Sequence, residues 1–360
     1  MAVSRINEAG LNVNQYGNKN LIINGAMQVA QRGTSSTGLG ASAGYFTVDR
    51  YNSAFSGTAG RLTMTQDSSA PSGFANSVKL DVTTADTSVA AGEYFIFQQR
   101  IEGQNLQQFA KGTSDAKPFA VSFYVKGNAS ATYVAELYDS DNSRHINKTF
   151  SVTTDWTRVE LFFSADTTGA FNDDNASSLE LNIWLHAGTN FTSGSLQTTW
   201  GTTSQTSRAV GISSIFDSTD RTFFITGVQL EVGDTATDFE HRTFDDELRR
   251  CKRYFESKSF TTFVEIGYSN GTTSAHCILP YLEKRVAPTV TLPTAGQSTN
   301  ELSFRTPTGA NPSTTGSNTA YDLTTTQGRI QGASYAGLTA GGVSSLYLNG
   351  TASITFDAEL

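Results

Sequence analysis

The 360-residue chain carries a formal net charge of -8, and only 16% of its residues are charged. That balance argues against a protein that neutralises nucleic-acid phosphates, which needs a basic surface. No apolar run approaches the roughly 18 residues of a membrane span, and at about 150 residues per domain the length calls for two or three domains.

Residues 1–19 are polar, without a period and without the apolar core of a signal peptide, so they read as an arm that orders only against a partner. From Leu21 to Arg242 the pattern is that of a sheet protein. In KPFAVSFYVKG, Phe119, Val121, Phe123 and Val125 share one face and Tyr124 lies on the other. In SLELNIWLHAG, Leu179, Leu181, Ile183 and Leu185 face inward, leaving Glu180, Asn182, Trp184 and His186 outside. DWTRVELFFSA aligns Val159, Leu161 and Phe163, and RTFFITGVQLEV aligns Phe224, Val228, Leu230 and Val232. These strands predict one β-sandwich over residues 20–242.

A helix is predicted over 243–256. Thr243 suits the N-cap, Asp245, Asp246 and Glu247 occupy the first turn, and Arg249, Arg250, Lys252 and Arg253 follow. Phe244, Leu248, Cys251 and Phe255 form a narrow apolar seam, which must pack either on the chain's own sandwich or against copies of the chain. From 257 to 360 the strand pattern returns as a second β-domain. It has turns at Asn270-Gly271 and Asn349-Gly350, a terminal strand alternating Ile354, Phe356, Ala358 and Leu360, and long surface loops over 293–343. The fold expected is mainly β: a β-sandwich, a short α-helix, then a C-terminal β-sandwich-like domain. Cys251 and Cys277 make neither a disulfide framework nor a zinc site and are expected as free buried thiols.

Four stretches carry a resemblance: NLIINGAMQVAQRGT (20–34), YFTVDRYN (45–52), GVQLEVGDTATDFEHRTFDDELRRCKRYFE (227–256) and YLEKRVAPTVTL (281–292). Together they resemble bacteriophage tail fibre or receptor-binding proteins that join a carbohydrate-binding-module-like jelly roll to a short helix and a C-terminal β-domain. The resemblance implies a homotrimer, assembled in the host cytoplasm and carried on the virion, which binds host surface polysaccharide. It makes residues 1–19 the arm that attaches to tail or capsid proteins, 20–242 the jelly roll, 243–256 a connecting helix whose seam is shared on the trimer axis, and 257–360 the distal domain. A non-adhesive connector or capsid decoration is the alternative, and a polysaccharide depolymerase a more remote one.

No catalytic constellation is legible. The histidines His145, His186, His241 and His276 are far apart in sequence, no G-x-S-x-G elbow exists, and Asp139 with Asp141 and Asp173 with Asp174 read as solvated loop acids. Sugar binding asks for an aromatic face flanked by polar partners. Trp184, between Asn182 and His186, fits best, and Tyr124 lies on the outer face of another strand; each is either an exposed platform or covered by a loop or a neighbouring subunit, and Trp200 is either a rim contact or a loop anchor. Trp156 is expected in the core. The jelly-roll resemblance also brings a structural calcium into view, but Ala26 stands where an acidic ligand is needed. Glu231 and Asp234 remain as ligands, though they are expected to pair with Arg32, Arg50 or Arg242, so no metal is assigned.

Overall fold

A computed structural model describes residues 18–260, 263–295, 301–306, 317–335, 337–349 and 352–360. The predicted arm lies outside the described residues except for Asn18 and Lys19, whose backbone N–H groups donate to Glu240 Oε1. Gly350 of the second predicted turn also lies outside them. The chain forms two compact units, and the division is not at a single point. The first holds 18–27, Thr37–Ala43 and Ser53–Arg242; the second holds Gln28–Ser36, Gly44–Asn52 and the chain from Thr243 on.

The first unit is a jelly-roll β-sandwich. Its strands include β1 (Asn52–Ser56), β2 (Arg61–Asp67), β3 (Ser77–Thr84), β4 (Tyr94–Glu102), β5 (Phe119–Gly127), β6 (Ala131–Asp139), β7 (Arg144–Val152), β8 (Thr157–Phe163), β9 (Ser177–Ala187), β10 (Gly201–Thr202) and β11 (Thr222–Val232). One sheet contains the order β2-β3-β11-β5-β8, the other β10-β7-β6-β9-β4-β1. Alternation decides the core: Phe119, Val121, Phe123 and Val125 are fully buried, and Leu161, Phe163, Leu181 and Leu185 are buried too, as expected for inward faces. A short helix, α1 (Thr189–Thr192), follows β9.

Strict alternation fails on β11. The expected face of Phe224, Val228, Leu230 and Val232 is broken: Phe223 and Ile225 are buried, Phe224 is half-exposed, and burial resumes at Val228 and Leu230. A bulge between Thr226 and Gln229 causes this. It is centred on Gly227, at φ +63°, where a Cβ would lie 2.7 Å from Phe74 and 2.9 Å from Tyr124. Phe224 therefore turns outward against Trp156, whose ring is 6.1 Å away. Trp156 is itself only half-buried, on a sheet surface and not in the core.

In the second unit, helix α2 (Phe244–Lys252) has Thr243 as its N-cap, whose Oγ1 accepts from Asp246 N at 3.3 Å. It ends before the predicted 256. Phe255 instead begins β12 (Phe255–Phe260), pairing with Asp357, so sheet hydrogen bonding wins over helix continuation. The other strands are β13 (Phe263–Ser269), β14 (Ala275–Pro280), β15 (Thr289–Thr291), β16 (Glu301–Arg305), β17 (Ser317–Tyr321), β18 (Gln327–Ala333), β19 (Val343–Asn349) and β20 (Ala352–Asp357). They make the orders β12-β20-β15 and β16-β19-β13-β14-β18-β17 around Leu302, Phe304, Ile330, Leu346, Ile354 and Phe356. Asn270-Gly271 lies in the loop of the β13–β14 hairpin.

Among its described residues, the stretch 293–343 is not only surface loop, since it supplies β16, β17 and β18. Close packing limits side-chain size at Gly332, where a Cβ would sit 2.5 Å from the rings of Phe304 and Tyr335. Arg32 and Arg50 also belong to this unit and pair with Glu359, Arg50 lying 3.4 Å from the centre of the Tyr254 ring.

The expected seam is divided. Cys251 and Phe255 are buried inside the unit, Leu248 is half-buried, and Phe244 is 52% exposed. Both cysteines are free and buried; burial pushes the Cys277 thiol up to about 12, which leaves it a poor nucleophile.

Candidate functional site

The outward residues of β9 acquire neighbours through register. Antiparallel pairing sets Glu180 between Arg100 of β4 and Tyr138 of β6, Asn182 between Gln98 and Glu136, and Trp184 between Ile96 and Val134. Side chains directly opposite in a sheet stand about 5 Å apart, so three rows form one continuous patch. The chain from Gly188 to Ile212, with α1, folds over the Trp184 end of this patch, packing Phe191, Leu196 and Ala209 against Ile96, Val134 and Trp184. A cleft of about 850 Å³ remains, lined among others by Tyr94, Tyr138, Phe191, Arg100, Glu180 and Arg208.

Glu136 holds the floor together. Its Oε1 accepts from His145 Nδ1 and Arg208 Nε, both at 2.8 Å; its Oε2 accepts from Asn182 Nδ2 and Trp184 Nε1 at 3.0 Å and from Arg208 Nη2 at 2.7 Å. Burial alone raises a carboxyl's pKa, but here the Arg208 charge and the hydrogen bonds from His145 and Arg208 outweigh it and bring Glu136 down to about 2. The Arg208 guanidinium is also 4.9 Å from both the Tyr138 and the Trp184 ring centres, clamped by cation–π contact. At the other end, Arg100 Nε lies 3.3 Å from Glu180 Oε1. Burial still pushes the Glu180 carboxyl upward against the pull of Arg100.

The residues singled out from sequence fare differently. Trp184 lies at the cleft but is fully buried, covered by Phe191 at 5.3 Å and tied to Glu136, so it is a floor and not an exposed platform. Asn182 is likewise buried beneath the cleft as a Glu136 partner. His186 is on the same strand but not in the cleft. A bulge between Trp184 and His186 pairs His186 with Phe95 and turns it to the Phe216 ring at 5.3 Å. Tyr124 is on the opposite sheet, packed on Phe74 at 5.4 Å. Trp200 anchors its loop: Nε1 donates to Ser164 O at 2.8 Å and the ring lies over Lys111 and Phe119.

The half-exposed rings of the cleft, Tyr94, Tyr138 and Phe191, were missed. Tyr94 and Tyr138 alternate in phase with Gln98, Arg100 and Glu136 on strands that are individually readable. Their convergence depends on strand pairing, and Phe191 and Arg208 come from a segment with no period at all.

Two acid expectations change. Asp139 is not solvated; it is fully buried and paired with Lys111, which also lies 3.1 Å from Asp166. Glu231 pairs with none of the named arginines, its carboxylate accepting from Thr237 N at 2.8 Å and from Gln229 Nε2 at 2.9 Å. Arg242 pairs with Glu240 instead. Donors of this kind occupy the carboxylate and give no calcium cradle at Glu231.

No protein-family model matches the chain, and no curated protein matches it. Among solved structures it is similar to the enzymatically active domain of tailspike protein 4 of bacteriophage CBA120, at 14% identity and a TM-score of 0.31, over 59% of this chain and 21% of that one. It is also similar to a family 30 carbohydrate-binding module, at 11% identity and a TM-score of 0.31, over 63% of this chain and 93% of the module. A family 11 carbohydrate-binding module from Clostridium thermocellum shows 11% identity and a TM-score of 0.27, over 58% of this chain and 98% of the module. Each is a partial likeness of architecture at low identity.

Proposed function

We propose that the chain is a non-catalytic glycan-binding protein whose sugar site is the cleft on the β4–β9–β6 face. The observation that carries the reading is the set of three half-exposed rings, Tyr94, Tyr138 and Phe191, around a cleft whose other walls are the fixed polar groups Arg100, Glu180 and Arg208. Sugar C–H faces pack on such rings, while hydroxyls find amide, carboxylate and guanidinium partners. Glu136 is fully engaged as an acceptor, so a two-carboxylate hydrolysis would lack its second free carboxylate.

The finer reading is a homotrimeric virion fibre, made in the host cytoplasm, that adheres to host surface polysaccharide and attaches to the particle through its N-terminal arm. Its support is the resemblance of the four sequence stretches to phage fibre proteins and the outward side of α2, where Phe244 remains 52% exposed.

Glycan arrays followed by calorimetry test the site. Tyr94→Ala and Phe191→Ala each weaken binding about tenfold, the loss of roughly 1.4 kcal/mol of ring contact, measured on chains that keep the parent's β circular-dichroism spectrum, since both rings also pack beside Trp184. Full affinity in the double variant moves the site elsewhere, and release of reducing ends from the polysaccharide overturns the non-catalytic reading. A native mass of three chains is expected; a single-chain mass removes the shared helix.

A structural role without adhesion is favoured by one observation. Ile266, Tyr268, Ile278 and Val343 are each more than half exposed on neighbouring strands β13, β14 and β19, an apolar face suited to a second copy of the chain. Under that reading the arrays stay silent.

A further inference from the structure

Beyond the β9 bulge, three ligating side chains from three separate segments converge. Asp86 follows β3, Glu93 occupies the turn before β4, and His186 lies on β9; one ligand atom from each falls within 4.8 Å of the others. Their relative exposures are 5%, 7% and 0%.

Each is held from behind. Asp86 N donates to Phe216 O at 2.8 Å, and Asp86 Oδ2 accepts from Thr58 Oγ1 and Ala59 N, both at 2.8 Å. Glu93 N donates to Ala90 O at 3.1 Å, and Glu93 O accepts from Gly188 N at 2.8 Å. His186 Nδ1 is 2.8 Å from Ser214 Oγ.

The front of the cluster is different. Glu93 Oε2 and His186 Nε2 are buried without a hydrogen-bond partner and face each other at 3.5 Å. Asp86 is stabilised by its donors, with Ser88 N reaching Oδ1 at 3.3 Å, whereas the Glu93 carboxylate oxygen, buried against an imidazole without a donor, is costly unless a positive charge joins it.

We propose that Asp86, Glu93 and His186 form a binding site for a divalent transition-metal ion of the zinc class. Zinc accepts imidazole nitrogen and carboxylate oxygen together at about 2.0–2.2 Å, and two ligands of one tetrahedral ion are then about 3.4 Å apart. Glu93 Oε2 and His186 Nε2, 3.5 Å apart, already have that spacing, and a ligand atom of Asp86 lies within 4.8 Å of both groups. Calcium favours six to eight oxygens, and a site built on one buried imidazole does not offer them. A proton on His186 Nδ1, donated to Ser214 Oγ, leaves the Nε2 lone pair directed at the two carboxylates. This is the outer-shell contact that orients a metal-bound histidine.

The ion would join the β3–β4 connection to the end of β9. It would therefore fix the turn that precedes Tyr94 and the segment that opens α1, where Asn190 N already donates to Ala91 O at 2.9 Å. The site itself does not depend on what the cleft binds.

The test uses the full chain, stripped by dialysis against a chelator and titrated with Zn²⁺, Mn²⁺ or Ca²⁺ by calorimetry, with thermal unfolding as a second readout. One equivalent of Zn²⁺ is expected to bind more tightly than Ca²⁺ and to raise the unfolding midpoint. Glu93→Gln, which keeps the side-chain shape, and His186→Ala are expected to abolish that equivalent. Ser214→Ala lowers its affinity by about ten- to a hundredfold. The proposal is overturned by any of three results: no saturable Zn²⁺ binding to a chain with its β circular-dichroism spectrum intact, a preference for Ca²⁺, or Zn²⁺ binding by a folded Glu93→Gln chain equal to that of the parent. None of these readouts involves a sugar.

Discussion

A carboxylate sealed from water but surrounded by a guanidinium, an imidazole, an amide and an indole makes the cleft floor sensitive to acid. Glu136 is ionised in the folded chain down to about pH 2, whereas its ordinary value is 4.5. The folded state therefore holds this stabilisation fully above pH 4.5 and loses it as pH falls from 4.5 towards 2. Between pH 6 and pH 3 the loss is about 2 kcal/mol. Urea unfolding at the two pH values is expected to show that loss in the parent chain and to show it reduced by the same amount in Glu136→Gln. Trp184 belongs to the same network. Its truncation to Ala removes a fully buried indole and leaves Glu136 Oε2 short of a donor, a cost of about 3–5 kcal/mol. Thermal unfolding is thus the readout expected to change most in Trp184→Ala; an unchanged midpoint would contradict the burial described here. Sequence alone left Trp184 either an accessible platform or covered by a loop or neighbouring subunit, because alternation reports which side of a strand a residue takes and not what a distant loop lays over that side.

Two bulges set the limits of the strand reading. On β9 the slip after Trp184 sends His186 towards Phe216, and on β11 the slip at Gly227 exchanges Phe224 for Phe223 and Ile225 as core residues. A one-residue shift reverses the side chains on one side of it relative to the other, so no single period-2 face runs through a bulge: on β9 the predicted face holds up to Trp184 and fails at His186, and on β11 it fails at Phe224 and holds at Val228 and Leu230. Gly227 was the legible mark, as a glycine inside a strand commonly signals this feature. Gly227→Ala is expected to destabilise the chain by at least about 1 kcal/mol, from the left-handed φ of +63° and the 2.7 Å approach to Phe74. Chemical denaturation measures this directly. By contrast, the α2 N-cap was readable because a cap is local: Thr243 and Asp246 lie within one turn, and their hydrogen bond needs no other element. The far end of α2 was misplaced for the opposite reason, since Phe255 pairs with Asp357 from the chain's last strand.

At the scale of the whole molecule, the second unit is assembled from distant pieces. Arg32 and Arg50 pair with Glu359, and Gln31 Nε2 donates to Phe255 O at 2.7 Å. A fragment of residues 243–360 therefore lacks the cations that compensate Glu359. Leaving a buried charge unpaired costs about 3–5 kcal/mol, so the fragment is expected to lose cooperative unfolding by circular dichroism, whereas the full chain retains it. The same dispersal separates what was legible from what was not. Composition, alternation and capping determined by themselves that the chain is mainly β, that a short helix follows Thr243, that strands return after it, and that both cysteines stay unpaired. All of these depend on neighbours a few residues apart. Only the tertiary structure decided that Arg100, Glu136, Tyr138, Phe191 and Arg208 share one cleft with Trp184, and that Asp86, Glu93 and His186 meet behind it. Register between strands, the position of a bulge and the path of an aperiodic loop are set by packing across the whole sandwich, where contacts far apart in sequence compete and the best-packed arrangement prevails.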